Sequence, residues 1–154
     1  MPRRGGRQDG VTLMELMVVV AIVGVLAAIA YPAYTQFVMQ ANRTDATKTL
    51  QLAAQAMERC YSVNFTYLPA LPATPCVVNG NPMVDQSTMQ TPNNFYTITF
   101  NIPDAQDYSL VAVPVAAPQT SDNQCQQFTL FSSGQQTALD SGNNPNTQIC
   151  WGSN

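Results

Sequence analysis

From Leu16 to Tyr34 the chain carries nineteen consecutive positions with neither charge nor amide, and after Glu15 no charged side chain appears before Arg43. As a helix that run would reach about 28 Å, close to the ~30 Å hydrocarbon thickness of a bilayer. Past it, Tyr34, Phe37/Val38, Ala41, Asp45/Ala46, Leu50, Ala53, Met57 and Tyr61 recur at spacings of three and four, with Gln40, Arg43, Lys48, Gln51, Gln55, Glu58 and Arg59 between them. This is the period of one helical face, so the pattern predicts a single helix from Val11 to about Val63, roughly 80 Å as a straight rod. Pro32 removes one hydrogen-bond donor and crowds the turn before it, and Gly24 lowers helix propensity, so a kink is expected near Pro32.

Beyond Asn64 the period is lost. Prolines 69, 72, 75, 82 and 92, Gly80 and several asparagines make the stretch to Asn94 read as a long loop. Alternating apolar residues then predict strands over 95–102, 107–113 and 126–132, with a fourth after Gly134 near 135–139, in an antiparallel meander. Alternation places Tyr96, Ile98, Phe100, Tyr108, Leu110, Ala112, Phe128 and Leu130 on one face, to pack against Ala46, Leu50, Ala53 and Met57 of the helix. The fold class is therefore α+β, a long N-terminal helix with a protruding apolar half on a four-stranded antiparallel sheet. Trp151 is expected to cap the edge of that core.

Charge and cysteines narrow the function. Without residues 1–10 the chain has three basic and eight acidic side chains, a net of −5, which lacks the basic footprint of a nucleic-acid binder. Cys60, Cys76, Cys125 and Cys150 all follow the apolar segment, and an even count in an oxidising compartment suggests two disulfides. Four cysteines allow three pairings; proximity along the chain favours Cys60 with Cys76 and Cys125 with Cys150. Zinc is the alternative, opposed by the absence of close-spaced cysteine pairs and of any histidine.

Glu15 is the anomaly, a lone carboxylate at the head of the apolar run, where burial in lipid costs a few kcal/mol unless the charge is paired. Arg3, Arg4 and Arg7 precede Gly10, and Gly10-Val11-Thr12-Leu13-Met14-Glu15-Leu16 leads into the run. These residues together resemble the prepilin signature of type IV pilins, with Val11 where phenylalanine is usual and Asp9 where a basic residue is usual. Glu58-Arg59-Cys60-Tyr61, Tyr108-Ser109-Leu110, Cys125, Gly134 and Cys150-Trp151 extend the resemblance, more loosely, to PilE-like minor pilins of type IVa systems.

The resemblance implies a leader of residues 1–10 cut between Gly10 and Val11, methylation of the new Val11 amine, and a Glu15 carboxylate that pairs with the amine of a neighbouring subunit in the filament core. Residues 11–35 would be the transmembrane and filament-core half of the helix, 36–63 its amphipathic half, and 64–154 a globular β domain with a disulfide-clamped C-terminal loop. Gly24 and Pro32 would bracket a stretch that melts when subunits pack. The implied partners are major and minor pilin subunits, the prepilin peptidase, the inner-membrane assembly machinery and the inner membrane itself. The implied location is the inner membrane as a prepilin, then the extracellular pilus.

No catalytic constellation offsets this reading. There is no histidine for a nucleophilic triad, no Gly-x-Ser-x-Gly elbow and no glycine-rich phosphate loop, so no enzyme, cofactor or metal is expected. Asp85, Asp104, Asp107, Asp122 and Asp140 read as solvated turn residues. The expected function is a structural, minor subunit of a type IV pilus serving pilus assembly, twitching motility, adhesion or DNA uptake, with no direct nucleic-acid partner. Two rivals remain: a pseudopilin of a type II secretion system, and a secreted or periplasmic binding protein whose signal peptide is cut after Ala30.

Overall fold

Thr12 opens the first helix by accepting the backbone N–H of Glu15 on its hydroxyl (3.2 Å), while its carbonyl accepts that of Leu16 (3.1 Å). Thr-x-x-Glu is the capping-box spacing, which satisfies donors that the first turn leaves orphaned. The computed structural model describes residues 11–68, 77–78, 81–82 and 86–152. Helix α1 runs Leu13–Asn64, 52 residues, and its helical assignment is continuous through Pro32. The chain divides into two compact units, Met1–Phe37 and Val38–Asn154.

In the first unit every residue from Val11 to Tyr34 is exposed, and α1 is long and apolar enough there to cross a membrane. Gly24 has open space where a Cβ would sit, so nothing in the isolated subunit requires a glycine at that position.

In the second unit the C-terminal part of α1 shares one core with an antiparallel sheet. The sheet has five strands, not four, in the order β3 (Thr88–Gln90), β4 (Tyr96–Asn101), β5 (Ser109–Pro114), β6 (Gln127–Phe131) and β7 (Gln136–Leu139). The extra strand β3 lies inside the stretch expected to be loop. It has one inward apolar residue, Met89, too short an alternation to register in the sequence, and it forms because the edge of β4 offers unpaired backbone groups opposite Met89 at Ile98. A separate two-residue ladder pairs β1 (Val77–Val78) with β2 (Asn81–Pro82).

The inward faces are those the alternation predicts. One row crosses all five strands, Met89, Ile98, Ala112, Phe128 and Ala138, so that large and small side chains interleave; the next row pairs Phe100, Leu110 and Leu130. Ala46, Leu50 and Ala53 are fully buried and Met57 nearly so in the same cluster. Each large apolar side chain moved from water into such a core contributes about 1.5–3 kcal/mol.

A second helix, α2 (Thr147–Trp151), replaces the irregular tail expected there. Gly152 ends it in the left-handed conformation, φ 65°, as Gly134 does the β6–β7 turn at φ 80°, both positions that L side chains rarely adopt. Trp151 sits half-buried at the core edge as expected. Its ring meets Phe128 edge-on at 6.0 Å between centroids, and its Nε1–H donates to the Thr137 carbonyl (2.9 Å). Cys125 and Cys150 form a disulfide. The expected partner of Cys60, Cys76, lies outside the described residues, as does Asp85.

Candidate functional site

The predicted assembly residues remain on one open surface. Val11, Glu15, Gly24 and Pro32 lie along the exposed first part of α1, with Glu15 as the sole charge between Val11 and Asn42. Among the described residues no cation pairs the Glu15 carboxylate. Thr35 returns its hydroxyl to the Pro32 carbonyl (2.9 Å), whereas the carbonyl that loses its donor to the proline is that of Ala28, one turn earlier.

The second unit corrects two readings. Arg43, placed on the polar side by its charge, is buried, and Asp122, read as a solvated turn residue, is 2% exposed. Arg43 Nε donates to Asp122 Oδ2 (2.7 Å) and Nη2 to Asp122 Oδ1 (2.8 Å), a bidentate pair, with a further bond from Nη2 to Gln124 Oε1 (3.0 Å). The signal was present at one end: Arg43 precedes Ala46, Leu50, Ala53 and Met57 by 3, 7, 10 and 14 positions, the apolar face itself. Its partner was not legible, because five loop aspartates were equivalent in sequence.

Gln119, which no motif flagged, extends this network. It is fully buried, donates from Nε2 to Tyr96 Oη (2.6 Å) and to the Met39 carbonyl (3.1 Å), and accepts from Asn42 Nδ2 (3.3 Å). Burial pushes the Tyr96 hydroxyl up to about 12, although the Gln119 hydrogen bond works the other way. The 116–126 connection is thus tied to α1 through Gln119, Asp122 and Gln124.

Glu58 is a second hub. Its Oε1 accepts from Tyr67 Oη (2.9 Å) and Tyr108 Oη (3.0 Å), and the two rings meet edge to face at 4.8 Å. Burial, and then the bond to an anionic carboxylate, raises both hydroxyls, that of Tyr67 to about 12. A raised tyrosine pKa favours the neutral form in the folded chain. This contribution is complete below the ordinary value near 10 and is lost as pH climbs toward 12.

Two polar loops meet at the disulfide. Ser141 N–H donates to the Asn123 carbonyl (3.0 Å) and Asn146 Nδ2 to the Gln124 carbonyl (3.1 Å), while Cys125–Cys150 joins the base of one loop to α2. Asp140 organises the second loop by accepting on Oδ1 from the backbone N–H groups of Asn144 (2.9 Å) and Gly142 (2.8 Å), and the Asn144 bonds chiefly hold its carboxyl below the usual range. As expected of Asp140 and Asp104, both act on their own turns; Asp104 accepts from the N–H groups of Gln106 and Asp107. The surface so assembled carries exposed amides at Asn123 and Asn143.

Residues 32–129 match the family described as type IV minor pilin ComP, DNA uptake sequence receptor, and residues 5–31 match the prokaryotic N-terminal methylation motif. The chain belongs to the ComP family of type IV minor pilins. A search of the curated proteins finds no match. The protein is accordingly a minor pilin subunit that joins other pilins in a filament, held first in the inner membrane as a prepilin and then carried in the extracellular pilus. Neither the pseudopilin nor the secreted binding protein is favoured.

Proposed function

We propose that this minor pilin is cut between Gly10 and Val11, methylated at Val11, and built into the pilus through its apolar helix, where its outer loops take part in capturing DNA for uptake. Such a role needs no catalytic group, and we read the chain as a structural subunit and not an enzyme. The observation that carries the proposal is the family match over residues 32–129, in a chain whose N-terminal helix has a single carboxylate, without an ion-pair partner among the described residues, at the head of its apolar run. In the filament the Glu15 carboxylate would accept the cationic amine of a neighbour's Val11, an ion pair that offsets the burial of both charges and sets axial register. The prepilin peptidase and the inner-membrane machinery are the implied partners for processing and extraction. Gly24 and Pro32 mark the stretch proposed to unwind on packing, since both weaken the helix, both lie exposed, and a Cβ at Gly24 would meet open space.

Glu15→Gln separates charge from capping, because glutamine also completes a capping box. In a pilus-bearing host with a prepilin peptidase, the wild-type chain should yield an intact mass starting at methylated Val11. The Gln variant should be processed to the same start yet remain in the membrane fraction and be absent from sheared pili. A mature chain starting at Tyr31, or normal recovery of the variant in pili, would sink the assembly reading.

The DNA role revises the expectation of no nucleic-acid partner while leaving the acidity unchanged. Among the described residues the exposed cations are Lys48 and Arg59, so neutral donors such as Asn123 and Asn143 must provide most of the contact. Asparagine suits this because its amide can bond two atoms of an adenine edge. Duplex binding by the detergent-solubilised chain, followed by fluorescence anisotropy, should therefore show a slope of log K against log salt no steeper than about −1.8. A slope near −5 would require a basic surface this chain lacks.

A further inference from the structure

The C-terminal part of α1 has two opposed faces. Ala46, Leu50, Ala53 and Met57 face the sheet, whereas Lys48, Leu52, Arg59 and Val63 all lie exposed, Leu52 at 54% and Val63 at 70%. At 100° per residue these four fall within a sector of about 60° on the far side of the helix, and Lys48 and Arg59 stand about 16 Å apart along its axis. Among the described residues no carboxylate lies within ion-pair distance of either cation, the ion pair there being that of Arg43 with Asp122. Two cations flanking exposed apolar side chains form a face that calls for an acidic, partly apolar partner rather than a bare phosphate chain.

A complementary surface is present on the same unit. The β4–β5 turn exposes Asp104 and Asp107, whose Oδ1 atoms are spent on the turn's own N–H groups and on the Ser132 hydroxyl. Each carboxylate retains a second oxygen to offer. A patch and its complement at different places on one subunit make a head-to-tail contact, which repeats into an open helix when its rotation does not close.

We propose that the Lys48–Leu52–Arg59–Val63 face of α1 docks a second pilin subunit of this architecture by receiving its Asp104–Asp107 turn. The contact rests on the assembly reading above but is independent of Glu15, since it joins the sheet-bearing units. It also commits the exposed cations to subunit packing, which leaves DNA to the neutral loops.

A zero-length carbodiimide cross-linker applied to the full chain in membranes and sheared pili tests this, since it joins a lysine amine to a carboxylate only in direct contact. Peptide mass analysis is expected to find Lys48 coupled to Asp104 or Asp107 of another copy. Charge reversal by K48E with R59E should lower that dimer yield about tenfold, because like charges then oppose each other. D104K with D107K should do the same, and the four changes together should restore subunit association, scored by incorporation into pili. All four sites are exposed, and because D104K and D107K also remove the turn's own hydrogen bonds, a retained cooperative melting transition is what confirms that each variant folds. If K48E with R59E leaves incorporation unchanged, or weakens only DNA binding, the face is not a subunit contact and the proposal falls. If even the wild-type chain stays out of pili, it is the assembly reading that fails.

Discussion

Arg43→Ala lowers the stability of the sheet-bearing unit by about 3–5 kcal/mol, the expected cost of removing one partner from a buried ion pair. The guanidinium side chain is 8% exposed and the Asp122 side chain 2%, so water screens little of the loss. Removing Arg43 leaves the buried Asp122 carboxyl with the Gln124 N–H (3.1 Å) as its donor among the described residues, and strips Gln124 Oε1 of the guanidinium. The effect should spread to Gln119, because the 116–126 connection is held to α1 through the same network. Thermal unfolding followed by circular dichroism should show a midpoint lowered by roughly 10–20 °C. Arg43→Met combined with Asp122→Leu should recover most of the loss, since apolar replacement of both partners removes the stranded charge. A fall of less than about 1 kcal/mol in the single variant would show that water reaches Asp122 readily.

Replacing Cys125 and Cys150 by alanine costs about 3 kcal/mol, from the chain entropy that the bridge removes from the unfolded ensemble across a separation of 25 residues. Both positions are buried, so the loss also loosens packing where α2 meets the sheet. Trp151 gives a local readout, being the single tryptophan and lying one residue from Cys150 against Phe128. In the double variant its emission should shift to the red and become more quenchable by acrylamide, before global unfolding. The paired loops carrying Asn123 and Asn143 should lose their mutual order together, and DNA binding should fall more steeply than stability at working temperature. An emission spectrum unchanged from wild type would show that the Trp151 Nε1 bond to Thr137 holds α2 in place without the bridge.

Periodicity alone determined the long helix, the inward faces of four strands and the helix positions that meet them, because 3.6- and 2-residue periods are properties of the backbone that apolar side chains need only mark. The resemblance carried by Gly10 to Leu16 marked the prepilin signature, and chain proximity favoured the pairing of Cys125 with Cys150, whereas the Thr12 cap on Glu15 emerged only from the folded helix. The tertiary structure alone decided that Arg43 belongs inside, although it falls in step with Leu50 and Met57. A charge can occupy an apolar face only if a carboxylate arrives from elsewhere, and Asp122 does so from 79 positions away. The same holds for β3, recruited by the open edge of β4, and for Gln119, whose burial is tolerable only because Tyr96, Met39 and Asn42 meet it in space. Patterns that repeat along the chain were legible in the sequence; partnerships between single residues far apart were not, since their energy depends on a distance that only the folded chain defines.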